Sequence, residues 1–198
     1  MSGDAFDYDY LLAEARKMRP QLIGFCGAAG AGKTFAANHL AATYGYSRVR
    51  FAGPLKAMLR ALGLSEDETD GAAKESACRL LGGKTPRHAM QTLGTEWGRQ
   101  HISADLWILA WERAAAQYLD QGLPVVVDDV RFANEAAAIW SRNGVLIRID
   151  RDTGGLVPCG GHASEKQPLH YDRRIANGGD AEEFRAALDA VVTRESVA

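Results

Sequence analysis

The sequence predicts an α/β fold in three layers, a parallel β-sheet flanked by helices. Three observations predict it. Short apolar runs lie at Leu22–Cys26, Pro124–Asp129 and Val145–Ile149, the second of them β-branched. The Val125-Val126-Val127 run is apolar without alternation, as strands covered on both faces of a parallel sheet are. Helix-period segments lie between these runs, which suits parallel neighbours joined by right-handed crossovers.

The elements follow in order. Residues 1–19 read as an N-terminal extension, with Tyr8, Leu11, Leu12 and Ala15 on one face of a short helix closed by Pro20, and residues 20–198 as the main domain. Leu22–Cys26 is the first strand, and Phe35–Tyr44 a helix after a glycine cluster. Ser47–Ala52 alternates and is a second strand. Pro54 opens a helix through Leu62 at a position that needs no N–H donor. Ser65-Glu66-Asp67-Glu68 has the capping-box pattern, and Thr85-Pro86 supplies an N-cap and first turn. After it, Met90, Leu93 and Trp97 form a buried stripe at helical period, with Arg87, Gln91, Gly94 and Gly98 on the neighbouring face. Ser103 begins a helix with Trp107, Ala110 and Trp111 inward, ending near Gly122. Asn134–Arg142 is a helix, Arg174–Ala176 a last short strand and Asp180–Val192 the closing helix. Residues 152–170 are rich in Gly and Pro, without period, and longer than a usual connection, which suits a lid.

Composition excludes whole classes. The chain has 198 residues, 46% hydrophobic and 24% charged, with a formal charge of −2. Such values exclude disordered and fibrous chains and argue against a bulk polyanion binder, so stable nucleic-acid binding is not expected. No run approaches the ~20 apolar residues of a membrane span, and the N-terminus lacks signal-peptide character. Cys26, Cys78 and Cys159 have no metal-ligand spacing, and a reducing, cytoplasmic location is the expectation.

Gly27-Ala28-Ala29-Gly30-Ala31-Gly32-Lys33-Thr34 matches G-x-x-x-x-G-K-[ST] at every fixed position. The glycines let backbone N–H groups turn inward as an anion nest, and the following helix points its positive end at the phosphates. Lys33 reaches the β and γ oxygens, and Thr34 can ligate Mg²⁺. The fold class sharpens to a three-layer P-loop NTPase fold, with a nucleoside triphosphate as ligand. The motif alone leaves a kinase, a hydrolysing ATPase and a nucleotide-binding switch open.

Further residues narrow that choice. Asp128 and Asp129 end a central strand, where an acid can hold Mg²⁺ through water, and Arg131 two residues on suits a second anion. The residues themselves favour Asp129 slightly. Lys56 follows the second strand, and Arg87, Gln91, Thr95 and Arg99 recur on one helix, with Gly94 leaving room for a flat ring. Basic forks of this kind hold phosphate, and phosphoryl transfer needs a donor cradle and an acceptor clamp. Trp97 and Trp111 read as core, Trp107 as core or site, and Cys26 as core. His162 reads as a solvated loop residue, and Arg151 as a lid cation.

The order of these motifs resembles a known family. The Walker A loop, Phe51-Ala52-Gly53-Pro54-Leu55-Lys56, Arg87-x-x-x-Gln91-x-Leu93-Gly94-Thr95-Glu96, Trp107, Asp129-Val130-Arg131-Phe132-x-Asn134-Glu135 and a tail of His162-x-Ser164-Glu165, then Asp172 to Asn177, then a closing helix, resemble the deoxynucleoside monophosphate kinases of tailed bacteriophages over residues 21–193. The resemblance implies transfer of the ATP γ-phosphate to a deoxynucleoside 5′-monophosphate, with Mg²⁺. It implies a donor loop at Gly27–Thr34, a helical acceptor-side cover over about 53–106 and a lid loop over about 151–170. Lys56, Arg87, Gln91, Gly94, Thr95, Trp107, Asp129, Arg131 and Glu135 match the family's acceptor-side motifs. Lys33, Arg131 and Arg151 are the expected catalytic cations, and Thr34 with Asp128 the metal side. A homodimer is compatible with the sequence. The rivals are a P-loop kinase of another small acceptor, such as phosphomevalonate or dephospho-coenzyme A, and a nucleotide-binding switch or ATPase.

Overall fold

The computed structural model describes residues 19–151 and 169–193. Residues 1–18 of the expected extension, and 152–168 of the expected lid with His162 in it, lie outside the described residues. The chain divides into two compact units, one running to Arg48 and resuming at Tyr118, the other spanning Val49–Gln117.

The first unit is built on a sheet of five parallel strands: β1 (Leu22–Cys26), β2 (Ser47–Arg48), β3 (Val125–Val127), β4 (Val145–Asp150) and β5 (Arg173–Ala176), in the order β2-β3-β1-β4-β5. Every residue of β1 and β3 is buried, because both strands lie inside the sheet with helices over them. On one face, α1 (Lys33–Tyr44) brings Ala36, Ala37 and Leu40, and the C-terminal helix Ala181–Thr193 brings Phe184, Leu188, Val191 and Val192, onto Ile23, Phe25, Val126, Ile147 and Ile149. The opposite face is covered by Ala133–Ser141, whose Ile139 approaches Gly24 beside Leu146. This is the three-layer arrangement that the alternation of runs predicts. A residue of this size fully withdrawn from water contributes about 1.5–3 kcal/mol.

The second strand is shorter than Ser47–Ala52. Only Ser47 and Arg48 pair, against Val125 and Val126. The chain then turns away: the Val49 carbonyl accepts the Trp111 indole N–H at 3.2 Å, and the Gly53 N–H closes a turn on the Arg50 carbonyl at 3.0 Å.

The second unit is helical. It holds α2 (Gly53–Ala61), α3 (Glu66–Thr69), two 3₁₀ turns (Ala72–Glu75 and Arg79–Leu81), α4 (Pro86–Gln91), a π-helix (Thr92–Ile102) and most of α5 (Leu106–Leu119). Its core joins Leu55, Leu59 and Leu64 to Trp107. In chain order, the remaining helices are α6 (Ala133–Ser141) and α7 (Ala181–Thr193).

The π-helix is the main departure. Met90 and Leu93 of the expected stripe pack against this core, but hydrogen bonds of the i→i+5 kind widen the turn to roughly 4.4 residues, so the stripe does not continue to Trp97. Trp97, expected in the core, is 40% exposed for this reason.

Candidate active site

The phosphate loop joins β1 to α1 at the carboxyl end of the sheet, where ligands of open α/β folds collect. Gly27 has φ 133°, and a methyl group there would lie 2.3 Å from the Ile149 carbonyl oxygen, so both conformation and space demand glycine. Ala28, Ala29 and Gly30 are exposed at the tip of the loop, while Ala31 is buried beneath it. Lys33 lies across the loop, its Nζ donating to the carbonyls of Gly27 and Ala28 at 2.7 Å each. The loop is also held from outside, because Asn177, just past β5, donates through Nδ2 to the Ala31 carbonyl at 2.9 Å.

The two acids that end the strand have different surroundings. It is Asp128 that accepts the Thr34 hydroxyl, Oγ1 to Oδ2 at 2.9 Å, while Asp129 lies half-buried one residue on. Asp128 has a side chain only 3% exposed, and a buried carboxylate needs a charged partner. Arg48 provides it, with Nε on Oδ1 at 3.0 Å and its terminal nitrogen on Oδ2. The same guanidinium reaches Thr34 Oγ1 at 3.4 Å and Asn38 Oδ1 at 3.2 Å. Thr34 and Asp128 are hard oxygen donors, the type from which Mg²⁺ takes one or two ligands before completing its shell with phosphate and water. The donor set therefore fits Mg²⁺.

Arg131 is exposed just beyond β3. Glu135 is only 3% exposed, and its carboxylate accepts the backbone N–H groups of Arg131 at 2.8 Å and Phe132 at 3.2 Å. It fixes the turn that carries Arg131. Arg151 is exposed at the end of β4. Cys26 is buried, and burial pushes its thiol pKa up, which suits a core residue.

The helical unit arranges the other predicted residues. Lys56, on α2, donates to Asp70 at 2.6 Å, and Arg50 and Arg60 donate to the same carboxylate. Arg87 pairs with Glu75 at 2.5 Å and is half-buried. Gln91 is exposed, and Gly94 and Thr95 are half-buried in the π segment. The Gly94 carbonyl accepts the Trp107 indole N–H at 2.7 Å, and a methyl group on its α-carbon would lie 3.5 Å from Leu55. The ring that approaches this helix is that of Trp107, which would sit 2.6 Å from a methyl group at Gly98. Trp107 is 4% exposed and thus acts from beneath the segment.

No family model matches the chain. A protein of Acanthamoeba polyphaga mimivirus named "Putative deoxynucleotide monophosphate kinase" is 32% identical over 191 residues, covering 88% of this chain and 97% of that protein. The chain belongs to the deoxynucleotide monophosphate kinase family. It is thereby a kinase, a phosphotransferase. Among solved structures, TT1252 from Thermus thermophilus is 19% identical and covers 90% of this chain and 99% of its own, with a TM-score of 0.51. A Chloroflexus aurantiacus protein is 15% identical over 88% and 94% of the two chains, with a TM-score of 0.50. These two likenesses concern the fold alone.

Three residues of this family member escape motif reading. Arg48 sits in a two-residue strand with no pattern to mark it, and its partner is 80 positions away. Asp70 follows a four-residue helix, just outside the capping-box residues Ser65–Glu68. Asn177 lies in the tail of the resemblance, and only its carbonyl partner in the phosphate loop marks it out. Among the described residues, no helix is long and apolar enough to cross a membrane.

Proposed function

We propose that this kinase transfers the γ-phosphoryl group of ATP to a deoxynucleoside 5′-monophosphate, giving ADP and the deoxynucleoside diphosphate. The observation that carries this reading is the phosphate loop with Lys33 across it and Thr34 bonded to Asp128, in a chain belonging to this family. Backbone N–H groups of residues 27–34 and the start of α1 receive the donor phosphates. Thr34 and Asp128 would hold Mg²⁺, which would supply charge neutralisation to the phosphates.

An acceptor phosphate oxygen forms the new bond to the γ-phosphorus while the bond to the β–γ bridging oxygen breaks, so no protein nucleophile is required. Lys33 follows the charge that accumulates on the leaving ADP oxygens. Arg131 and Arg151 are assigned to the transferring phosphoryl group, as fixed cations that need no reorganisation in the transition state. Lys56, Arg87, Gln91, Thr95 and Asp129 are assigned to the acceptor. Glu135 positions Arg131, and Trp107 positions Gly94 and its neighbours.

The test is ADP formation from ATP·Mg²⁺ with dAMP, dGMP, dCMP or dTMP and their ribose forms, with a no-acceptor control. The expected result is acceptor-dependent ADP with the matching diphosphate as product. ADP independent of acceptor would refute the reading. Lys33→Ala is expected to lose about 10³-fold or more in kcat, on the scale of removing a charge-stabilising donor, with the melting temperature kept. Wild-type turnover in that variant would reject the role of Lys33.

A further inference from the structure

Arg48 stands where the two hard oxygen donors beside the phosphate loop meet. Its Nε donates to Asp128 Oδ1 at 3.0 Å, its Nη2 donates to Asp128 Oδ2, and the same Nη2 reaches Thr34 Oγ1 at 3.4 Å. Its Nη1 donates to Asn38 Oδ1, on α1, at 3.2 Å. Neutralising a buried carboxylate takes one charged contact. Here the guanidinium forks over both carboxylate oxygens and also reaches the hydroxyl beside them. One monovalent cation therefore touches each of the three oxygens that these residues offer to Mg²⁺.

Two cations cannot both draw on these oxygens at full strength. Their mutual repulsion is poorly screened, because the Asp128 side chain is 3% exposed and that of Arg48 26%. A divalent ion arriving alone would meet a carboxylate already paired with a positive charge, and Mg²⁺ gives up its water reluctantly. An ion arriving on a nucleoside triphosphate brings the negative charge of the phosphates with it, which offsets the repulsion from Arg48. Asn38 gives the guanidinium an acceptor that it keeps in either case. Lys33 and Asp129 adjoin Thr34 and Asp128 in the chain. Both are unchanged in the variants below, so a difference between those variants reads Arg48.

We propose that Arg48 is a positioning residue that occupies the cation position at Asp128 and Thr34, and so reserves the metal site for the metal–nucleotide complex over the free ion. The proposal rests on the nucleotide-kinase reading for the identity of the nucleotide, and on the contacts of Arg48 for the competition. Removing its positive charge opens the site to free Mg²⁺, whereas exchanging it for another positive charge does not.

The experiment follows melting temperature and calorimetric binding of the full chain. The probes are MgCl₂ alone, NaCl of equal ionic strength, ATP alone, and ATP with MgCl₂. Wild type is expected to show no Mg²⁺-specific rise in melting temperature without nucleotide. Arg48→Met and Arg48→Gln are expected to bind free Mg²⁺ about 10- to 100-fold more tightly than wild type, the scale of one charged contact removed from the carboxylate. MgCl₂ should then restore part of their lowered melting temperature by linkage. Arg48→Gln, which can still hydrogen-bond to Asp128, guards against a methionine variant that fails to fold. Arg48→Lys keeps the charge and should respond to free Mg²⁺ as wild type does. Adding Asp128→Asn to Arg48→Met should abolish the Mg²⁺ response, which locates the ion. An Arg48 that only stabilises the fold would lower the melting temperature of the Met and Gln variants and leave their affinity for free Mg²⁺ at the wild-type value, and that result would overturn the proposal. So would a Mg²⁺ response that survives Asp128→Asn. An Arg48-dependent response to free Mg²⁺ in a chain that binds no ATP would keep the role of Arg48 and reject the nucleotide reading.

Discussion

Replacing Arg48 by methionine isolates the interaction on which the metal-side acid depends. Met keeps most of the side-chain volume and removes the guanidinium that bridges both Asp128 oxygens. Asp128 would then be left with the Thr34 hydroxyl and a side chain 3% exposed. Breaking a fully buried pair by removing one partner costs about 3–5 kcal/mol. The Arg48 side chain is 26% exposed, so water reaches its end of the pair and the loss should fall to about 2–3 kcal/mol. For a domain of this size, 1 kcal/mol shifts the melting temperature by about 2–4 °C, so a drop of about 4–12 °C is expected. The double variant Arg48→Met/Asp128→Asn removes the orphaned charge and should recover more than half of that drop, while losing phosphoryl transfer. Thermal and urea unfolding at pH 7 on the four members of the cycle measure the coupling. A single variant that melts within about 1 °C of wild type would refute the reasoning, as would a double variant no more stable than Arg48→Met.

Three other perturbations test separate parts of the structure. Gly27→Ala places a methyl group against the Ile149 carbonyl at a φ of 133°, whereas Gly30, at 77°, faces open space. Gly27→Ala should cost more than about 3 kcal/mol and Gly30→Ala about 1 kcal/mol, compared by urea unfolding. Gly98→Ala pushes against the Trp107 ring and should cost about 1–3 kcal/mol, raising the KM for the acceptor while the KM for ATP holds. Burial works against the charge of Asp70, but the hydrogen bonds from Lys56 and Arg50 outweigh it and hold the carboxyl well below the ordinary range. A carboxyl depressed in the folded state adds stability that is fully present above the unfolded value of about 3.9 and is lost as pH falls toward the folded value. The melting-temperature gap between wild type and Asp70→Asn should therefore be constant from pH 7 to about 5 and narrow below about 4.

The sequence by itself determined whatever depends on neighbours in the chain. The phosphate loop is one continuous segment whose glycines, lysine and threonine need only the strand before and the helix after them, and it forms as written. The Ser65 capping box closes as expected, with Glu68 N–H donating to the Ser65 hydroxyl at 3.2 Å and the Ser65 N–H to the Glu68 carboxylate at 2.8 Å. Thr85 likewise accepts the His88 N–H at 3.1 Å. Such caps join groups three residues apart, so local preference decides them. The apolar runs marked the strands because a strand buried on both faces has no polar side to show.

Tertiary structure decided the rest. The spatial order of the strands brings Asp128 beside Thr34 across 94 positions and Arg48 onto Asp128 across 80, and no local pattern encodes either meeting. The second strand stops at Arg48 because Trp111, far along the chain, takes the next carbonyl. Trp97 is exposed because the segment that carries it winds as a π-helix held by Trp107 and Ser103, which a 3.6-residue period does not anticipate. Asp70 belongs to no motif, and three cations from two segments meet on it. The difference has one physical origin: local geometry follows from chain connectivity, whereas the partner of a charge is chosen by which distant segments the packed core brings within reach.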